Sequence, residues 1–448
     1  MPEVHPFAAV QYRGGRGDVS TLVAPPYDVI DARQKARLLA ADSRNIVAID
    51  LPHTPARELG PPEEYRAAAA QYRAWLAEGT LSQRAAAAMF ACRQTFEFLG
   101  QRYQRSGMAC CVEAVPFGPR HGGGILPHEQ TFSGPKEDRL ALMKATAAQL
   151  SPIFSLHADE NGAATGLLRR AMESREPDMT AELGDGVRHD VWTIEDAETI
   201  NAYRDALARE DIFIADGHHR YNTALNYLQQ LERHGPVPAD HPARRTMMVL
   251  VGMSDPGLAI GPTHRVLGGM KDYSLGALQK ALAPHIELTP LGRAPEKIEP
   301  AVAAHPAGRE GRGALGIIDF ASGECFTAAL RDPDPLGADF PGKPRAWRTL
   351  DVALVQHLIV EQICEPVLNA GQPVKWAFPH SVPEAIEIGA GAETGAGGGA
   401  GFAQFAVIVR PTPLDAVKEI SRAGELMPQK STFFYPKLAT GLFIKPLA

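Results

Sequence analysis

An acid, two imidazoles and a guanidinium follow a short apolar run in the segment DIFIADGHHRYNTALNYL, residues 211–228. The four side chains are those of Asp216, His218, His219 and Arg220. Titratable groups of opposite charge that converge on one turn are typical of catalytic and anion-binding sites. We therefore predict catalytic roles for the acid, which can also hold a magnesium ion, and for the two histidines. We assign phosphate binding to the arginine and to Gly217.

The elements around this turn must place those groups at the beginning of a helix. Ile212–Ala215 is a continuous apolar run, which is typical of a strand buried on both faces. After the turn, apolar residues recur at helical spacing from Tyr221 to Leu231. Gly217 permits a backbone conformation that a side chain disfavours. The first N–H groups of a helix lack intrahelical partners, so this terminus attracts phosphate or carboxylate.

The alternative is structural: Asp216 caps the helix, and the two histidines are ordinary surface residues. Four such residues in a row after a buried strand favour the functional interpretation.

A second candidate site lies in HEQTFSGPKEDR, residues 128–139. Glu129 is a candidate general base towards a substrate hydroxyl, with His128 as a neighbouring substrate contact. Lys136 and Arg139 are three residues apart on one face of a predicted helix, where they can hold a phosphoryl group or a carboxylate. The alternative is a solvated helix start with surface ion pairs.

Three further pairs of polar residues are weaker candidates for substrate binding, because isolated charged residues are more often structural. The pairs are His264 with Arg265 at the end of a predicted strand, Lys430 with Ser431 beside an aromatic run, and Tyr27 with Asp28 after two prolines. The proline pair predicts a rigid turn.

Composition excludes several functional classes. The 448 residues carry a formal net charge of −7 with a pI of about 6.1, which argues against a protein that mainly grips nucleic acid or anionic membrane. No apolar run approaches the length of a membrane span, and the N-terminus lacks the apolar core of a signal peptide. The five cysteines form no C-x-x-C pair, so we expect a soluble cytoplasmic protein. The chain contains neither a Walker-type phosphate loop nor a dinucleotide-binding G-x-G-x-x-G after a strand.

Strand-like and helix-like segments alternate throughout, which predicts a mixed α/β fold with mixed sheets and flanking helices. We place an N-terminal α/β region at residues 1–240 and a C-terminal one at 241–448, with a flexible glycine-rich loop at 389–401. Further predictions are a strand at 45–53, a helix ended by Gly79, a hairpin joined at Leu99–Gly100, and a C-terminal hairpin within KSTFFYPKLATGLFI, residues 430–444.

Six motifs together resemble the bacterial and archaeal family known as domain of unknown function 1015. They are APPYDVI, LPHEQTFSGPKEDRL, LSPIF, ADGHHRYNTAL, GPTHRVL and KSTFFYPKL, which span nearly the whole chain in that order. The Asp-Gly-His-His-Arg turn is also similar to the phosphate-binding turn of the ParB/sulfiredoxin-like superfamily, which includes free-serine kinases. This second resemblance implies a nucleotide-binding element, with Asp216, His218, His219 and Arg220 at the matching positions.

These observations together predict a nucleotide-dependent phosphotransferase that acts on a small hydroxylated metabolite, with serine implied by the resemblance. The expected cofactor is ATP or ADP with magnesium, and the expected partners are small molecules rather than nucleic acid or membrane. Two alternatives stay open: a non-catalytic, ParB-like nucleotide sensor, and a phosphatase that acts on a small phosphomonoester such as phosphoserine.

Overall fold

The computed structural model describes residues 2–447 except 55–57, 130–133, 310–312, 393–396 and 398. The chain divides into two compact units. Unit 1 comprises Met1–Pro127, Thr131–Ala259 and Phe434–Ala448, and unit 2 comprises His128–Gln130 and Ile260–Phe433. Within the stretch predicted as a glycine-rich loop, residues 393–396 and 398 lie outside the described residues.

The strands, in chain order, are β1 (Val4–His5), β2 (Val10–Tyr12), β3 (Gly17–Asp18), β4 (Leu81–Gln83), β5 (Met89–Phe98), β6 (Gln101–Glu113), β7 (Ile125–Leu126), β8 (Ala148–Gln149), β9 (Ile153–His157), β10 (Met179–Glu182), β11 (Arg188–Ile194), β12 (Ile212–Asp216), β13 (Arg245–Gly252), β14 (Ala259–Gly261), β15 (Arg265–Gly268), β16 (Ile286–Gly292), β17 (Ala314–Asp319), β18 (Cys325–Leu330), β19 (Lys375–Ala377), β20 (Ala403–Ile408), β21 (Phe433–Tyr435) and β22 (Lys445–Pro446).

The α-helices are α1 (Ala32–Ala41), α2 (Val47–Asp50), α3 (Pro62–Ala77), α4 (Gly134–Thr146), α5 (Ala163–Glu173), α6 (Ala197–Ala206), α7 (His218–His234), α8 (Leu275–Leu282), α9 (Ile298–Ala304), α10 (Pro306–Arg309), α11 (Arg345–Arg348), α12 (Asp351–Ala353), α13 (Val382–Gly389) and α14 (Leu414–Arg422). A π-helix, Leu354–Leu368, continues α12. Short 3-10 turns lie at Tyr27–Val29, Pro242–Arg244 and Pro295–Lys297.

Unit 1 is built on a ten-stranded mixed sheet in the order β3-β10-β11-β5-β6-β13-β9-β12-β7, with β1 also paired to β6. Most neighbours are antiparallel, but three pairs run parallel: β9 with β13, β7 with β12, and β3 with β10. Helix α7 packs on α4, and α4 packs on α3. The apolar face of α7 enters the main core through Tyr221, which is fully buried. The strand before α7, β12, lies between β9 and β7, and its residues Ile212–Ala215 are buried, as the apolar run predicts.

Unit 2 contains an antiparallel six-stranded sheet in the order β16-β18-β17-β20-β15-β19. Its largest core cluster combines this sheet with α8 and the π-helix. Mixed sheets with flanking helices are thus present in this chain, which confirms the predicted α/β class.

Two local predictions are confirmed, and two are wrong. The β5–β6 hairpin turns at Leu99 and Gly100, whose φ angles of 49° and 73° suit a tight hairpin turn. Helix α3 ends before Gly79, which has a φ of 78°.

The segment 45–53 is not a strand but contains α2, because the Asn45 side chain accepts a hydrogen bond from the Val47 N–H at 3.0 Å and starts a helical turn. The segment 430–444 is not a hairpin either. Its strand β21 does not pair with β22, which instead pairs antiparallel with β8. Pro436, which has no N–H to donate, follows β21 directly and interrupts the extended run.

Candidate functional site

The turn from Asp216 to Arg220, which we call the α7 turn, joins β12 to the beginning of α7 as predicted. Gly217 is the N-cap residue, with a left-handed φ of 96°. A Cβ added at this glycine would lie 3.0 Å from the guanidinium carbon of Arg220. The glycine is therefore required both by its backbone angle and by the close approach of the arginine.

Asp216 does not cap the helix but binds two cations. Its Oδ2 accepts a hydrogen bond from the Arg220 Nη2 at 2.6 Å, and its Oδ1 accepts one from the Nζ of Lys437. Burial alone would raise the pKa of Asp216, but the charges of Lys437 and Arg220 outweigh it and hold the pKa well below the usual range. The carboxylate is consequently ionised at neutral pH, and it holds both cations at the beginning of α7.

The side chains of the two histidines are placed differently. His218 is buried and His219 is partly exposed on the first turn of α7. The positive charges near Asp216 include that of His218 when this imidazole is protonated. Arg220 also donates to the carbonyl of Pro152, so its guanidinium is fixed on two sides.

A second charged network lies deeper in unit 1 around Arg139. Its Nε donates to Asp138 Oδ2 at 2.6 Å, and its Nη1 donates to the carbonyl of Asp50 at 2.6 Å. The guanidinium lies 4.1 Å from the centroid of the Tyr27 ring, which is a cation–π contact. Burial raises the pKa of Asp50, although Arg139 opposes this shift. Arg139 is only 6% exposed, so the structure places this predicted phosphate contact in the interior of unit 1.

The network extends beyond the arginine to an imidazole and a phenol. Asp138 accepts hydrogen bonds from His53 Nε2 at 2.6 Å and from the Tyr65 hydroxyl at 2.7 Å. Asp138 is fully buried, so these donors compensate the loss of water around its carboxylate. Lys136, one turn before Arg139 on α4, is half-buried.

A cavity of about 40 Å³ lies between the two arginines. Its polar lining comes from Arg139, Arg220, Asp50, Ser151, Gln149, Thr223 and Thr246. This volume holds water rather than a nucleotide. Apolar residues, among them Leu142 and Ile153, form the rest of the lining, and the α7 turn and the Arg139 network therefore border one small cavity of mixed lining.

The remaining candidates gather in unit 2. Glu129 accepts hydrogen bonds from the backbone N–H groups of Lys430 (3.2 Å), Ser431 (2.9 Å) and Thr432 (3.2 Å). His128 is buried, and its Nε2 lies 2.8 Å from the Thr432 hydroxyl oxygen. We call residues Lys430–Thr432 the amide loop. The structure thus brings Glu129 next to Lys430 and Ser431, which follow it by 301 and 302 residues in the sequence.

His264 and Arg265 are both buried in unit 2. The Nδ1 of His264 accepts the N–H of Val409 at 3.2 Å, and its Nε2 lies 3.4 Å from Glu299. Arg265 donates to the carbonyls of Gln429 and Lys430, and burial lowers its pKa to about 10. Both side chains therefore hold neighbouring backbone in place.

The predicted site residues fall into two groups in different units. Unit 1 contains Asp216–Arg220, Arg139, Lys136, Tyr27 and Asp28. Unit 2 contains His128, Glu129, His264, Arg265, Lys430 and Ser431. Asp28 adds to the electrostatics of the first group: burial would lower the pKa of Lys437, but the charges of Asp216 and Asp28 raise it.

Sequence reasoning missed Lys437, Asp50 and Asp138. Lys437 stands in the motif KSTFFYPKL and Asp138 in the motif GPKEDRL, so the family resemblance marked both without assigning a role. Asp50 is the last residue of α2, within the segment 45–53 that was wrongly predicted as a strand.

The described residues contain no cluster of three or more His, Cys, Asp or Glu side chains that would hold a metal ion. Among the described helices, none is long and apolar enough to cross a membrane.

Residues 4–353 match the family model described as "Protein of unknown function (DUF1015)". The chain belongs to this family. None of the curated proteins matches this DUF1015 chain.

Three solved structures are similar to this DUF1015 member at low identity. A mutant of free serine kinase in complex with AMP is 13% identical, with 71% of this chain and 89% of that chain covered and a TM-score of 0.33. A conserved hypothetical protein from Pyrococcus furiosus is 14% identical over 73% and 98%, with a TM-score of 0.32. A C-terminally truncated SbnI from Staphylococcus aureus is 9% identical over 72% and 84%, also with a TM-score of 0.32. At these scores the similarity supports no argument about activity.

Proposed function

We propose that this protein is a nucleotide-dependent phosphotransferase that binds phosphate groups at the α7 turn and transfers a phosphoryl group to a small hydroxylated metabolite. One observation carries the proposal: two cations, Arg220 and Lys437, share the single carboxylate of Asp216 at the beginning of a helix whose N-cap residue is Gly217. Backbone N–H groups and the positive helix end favour a phosphate at this position.

The α7 turn supplies the groups that phosphoryl transfer requires. Gly217 lets the backbone approach a phosphate closely, and Arg220 and Lys437 neutralise its charge. Because such chemistry depends mainly on positioning and electrostatics, fixed cations are its central requirement. The two imidazoles, of His218 and His219, are the groups to which we assign the hydroxyl proton.

Magnesium fits this site only together with the nucleotide. Asp216 is a single carboxylate that already binds two cations, so it cannot hold the ion alone. Magnesium usually keeps several waters and binds through one or two carboxylates plus substrate phosphates. Asp216 would supply the protein ligand, and the ion would neutralise phosphate charge.

The residue-level likeness of the α7 turn to the ParB/sulfiredoxin-like phosphate turn supports a nucleotide as the donor, and its free-serine kinases point to serine as the acceptor. The base role predicted for Glu129 stays a prediction, and the proposal does not use it. Its carboxylate already accepts three backbone N–H groups, which leaves little capacity to receive a substrate proton.

The test is thermal stabilisation by ATP, ADP, CTP and phosphoserine, each with and without magnesium, followed by nucleotide consumption with serine. We expect a nucleotide to raise the melting temperature of the parent protein. Replacement Arg220→Ala should raise the dissociation constant roughly tenfold or more, because a charge-assisted contact is lost. His219→Ala should slow turnover.

Arg233→Ala is the matched control, because Arg233 is exposed in the last turn of the same helix. Equal nucleotide affinity in Arg220→Ala and Arg233→Ala would refute phosphate binding at the α7 turn. Nucleotide that binds but survives long incubation with serine and other alcohols would instead favour the sensor alternative. Release of phosphate from phosphoserine without a nucleotide would favour the phosphatase.

A further inference from the structure

Three consecutive peptide groups of the amide loop point their N–H bonds at one carboxylate. The amides of Ser431 and Thr432 donate to Glu129 Oε1 at 2.9 and 3.2 Å, and the amide of Lys430 donates to Oε2 at 3.2 Å. The Thr432 hydroxyl lies 3.3 Å from the same Oε1. Four donors therefore surround one oxyanion within unit 2.

Buried side chains hold the opposite face of the same three peptide groups. Arg265 Nη2 donates to the carbonyls of Gln429 and Lys430 at 3.3 and 3.0 Å, and the Thr412 hydroxyl donates to the carbonyl of Ser431 at 2.6 Å. Because the C=O and N–H bonds of a peptide plane point in opposite directions, fixing each carbonyl aims its N–H at the carboxylate. Arg265 is 2% exposed and Thr412 is 5% exposed, so the orientation of these amides is set by the interior of unit 2.

The amide loop contains one left-handed residue, which is a component of the backbone conformation that gathers N–H groups into a concave anion site. Lys430 has a left-handed φ of 57°, which is uncommon for a residue other than glycine. Successive right-handed and left-handed residues turn their N–H groups to one side and form such a site. The guanidinium of Arg265 lies behind the loop and adds positive charge.

We propose that the amide loop is an oxyanion-binding site whose built-in ligand is Glu129, and that a small external carboxylate or phosphate competes with it. The Glu129 side chain is 17% exposed, so solvent ions reach its position. The orienting residues act on the loop rather than on the glutamate, and the site therefore persists when the glutamate is removed. This inference does not depend on phosphoryl transfer at the α7 turn.

The test removes the built-in ligand and supplies an external one. The full-length Glu129→Ala variant is titrated with acetate, formate or inorganic phosphate, against sodium chloride at the same ionic strength, and its melting temperature is followed. We expect at least one oxyanion to raise this temperature by roughly 2 °C or more above the chloride control at saturating concentration. The parent protein should need at least a tenfold higher concentration, because Glu129 competes. Comparison of acetate with phosphate decides which anion shape the loop prefers.

Two variants keep the test specific to the amide loop. Glu384→Ala is the matched control, because Glu384 also accepts a backbone N–H, that of His380 at 2.7 Å, but has no triple-amide site around it. Its oxyanion response should equal that of the parent protein, because it retains Glu129. Adding Thr412→Val to Glu129→Ala releases the carbonyl of Ser431 and should weaken the response several-fold.

The inference is overturned if acetate, formate and phosphate all act like chloride on Glu129→Ala. An identical response of the parent protein and the variant would also overturn it, because the anions would then bind elsewhere. Should Glu129→Ala fail to fold, Glu129→Gln retains one acceptor oxygen without the charge, and the same titration with the same outcomes applies to it.

Discussion

The α7 turn and the amide loop both gather backbone N–H groups, but they differ in what faces those groups. At the α7 turn, Asp216 turns its carboxylate to Arg220 and Lys437, and a glycine occupies the N-cap position of the helix. At the amide loop, Glu129 turns its carboxylate directly to three amides. One acid therefore organises cations around a helix terminus, and the other fills an anion site by itself.

This difference separates a site prepared for a ligand from a site that already contains one. The two cations at the beginning of α7 need a counter-ion, and Asp216 supplies it. In the amide loop, the buried side chains of Arg265 and Thr412 hold the carbonyls, so the N–H donors stay oriented without the carboxylate. The carboxylates of Asp216 and Glu129 should consequently contribute differently to the free energy of unfolding.

The largest expected effect comes from removing the acid that holds two cations. Asp216→Ala leaves Arg220 and Lys437 without their shared partner and should lower the free energy of unfolding by about 3 kcal/mol, the lower end of the range for a broken buried pair. Denaturant unfolding followed by circular dichroism measures this change. Asp205→Ala, on the exposed part of α6, is the control and should change stability by less than about 0.5 kcal/mol. A loss no greater than that of the control would show that the cations do not need Asp216.

Acid should weaken the same contact. The pKa of Asp216 is lowered in the folded protein, so its stabilising contribution is complete above the unfolded value of about 3.9 and is lost as the pH falls from there towards the folded pKa. Unfolding free energies are measured from pH 6 to pH 3, a range that includes the unfolded pKa. They should fall less steeply for Asp216→Asn than for the parent protein. Parallel curves would contradict the assigned cause.

The smallest effects concern the two left-handed residues and should have opposite signs. Gly217→Ala places a side chain at a φ of 96° and against Arg220, and should destabilise by about 1–2 kcal/mol. Lys430→Gly relieves a left-handed backbone but adds chain entropy to the unfolded state, so it should stabilise by less than about 1 kcal/mol.

Thermal and denaturant unfolding give both values. Gly186→Ala is the control for the first variant, because Gly186 has a φ of 79° with no atom near its added Cβ. If Gly217→Ala costs no more than Gly186→Ala, the contact with Arg220 is unimportant. A destabilised Lys430→Gly would show that the lysine side chain matters to the amide loop.

The sequence predicted the α7 turn because every signal there is local. The apolar run, the glycine and the helical spacing lie within one strand and one helix. Each pattern predicts the secondary structure of the segment that contains it. The partner of Asp216 was not predictable in this way, because Lys437 comes from the far end of the chain. The errors at 45–53 and 430–444 have the same origin: Asn45 starts a helical turn inside an apolar run, and β22 pairs with the distant β8.

The amide loop shows the same limit for sites built from backbone. Lys430, Ser431 and Glu129 were all selected for their side chains, whereas the structure uses the backbone N–H groups of the first two. Every residue type except proline has a backbone N–H, so residue types do not reveal which N–H groups form a site. The φ of Lys430 does mark this loop, but it is visible only in the structure. Arg265 was proposed to contact a substrate, and instead it orients carbonyls.

The order of segments along the chain has a consequence for biosynthesis. Unit 1 takes its last segment, Phe434–Ala448, from the C-terminus, and unit 2 takes His128–Gln130 from a point far upstream of its main body. On the ribosome, Asp216 and Arg220 therefore emerge long before Lys437, and Glu129 emerges long before its amides. Neither ionic cluster is complete until residues 430–437 have been synthesised, so a chain that stops before Lys430 cannot form the α7 turn as described above.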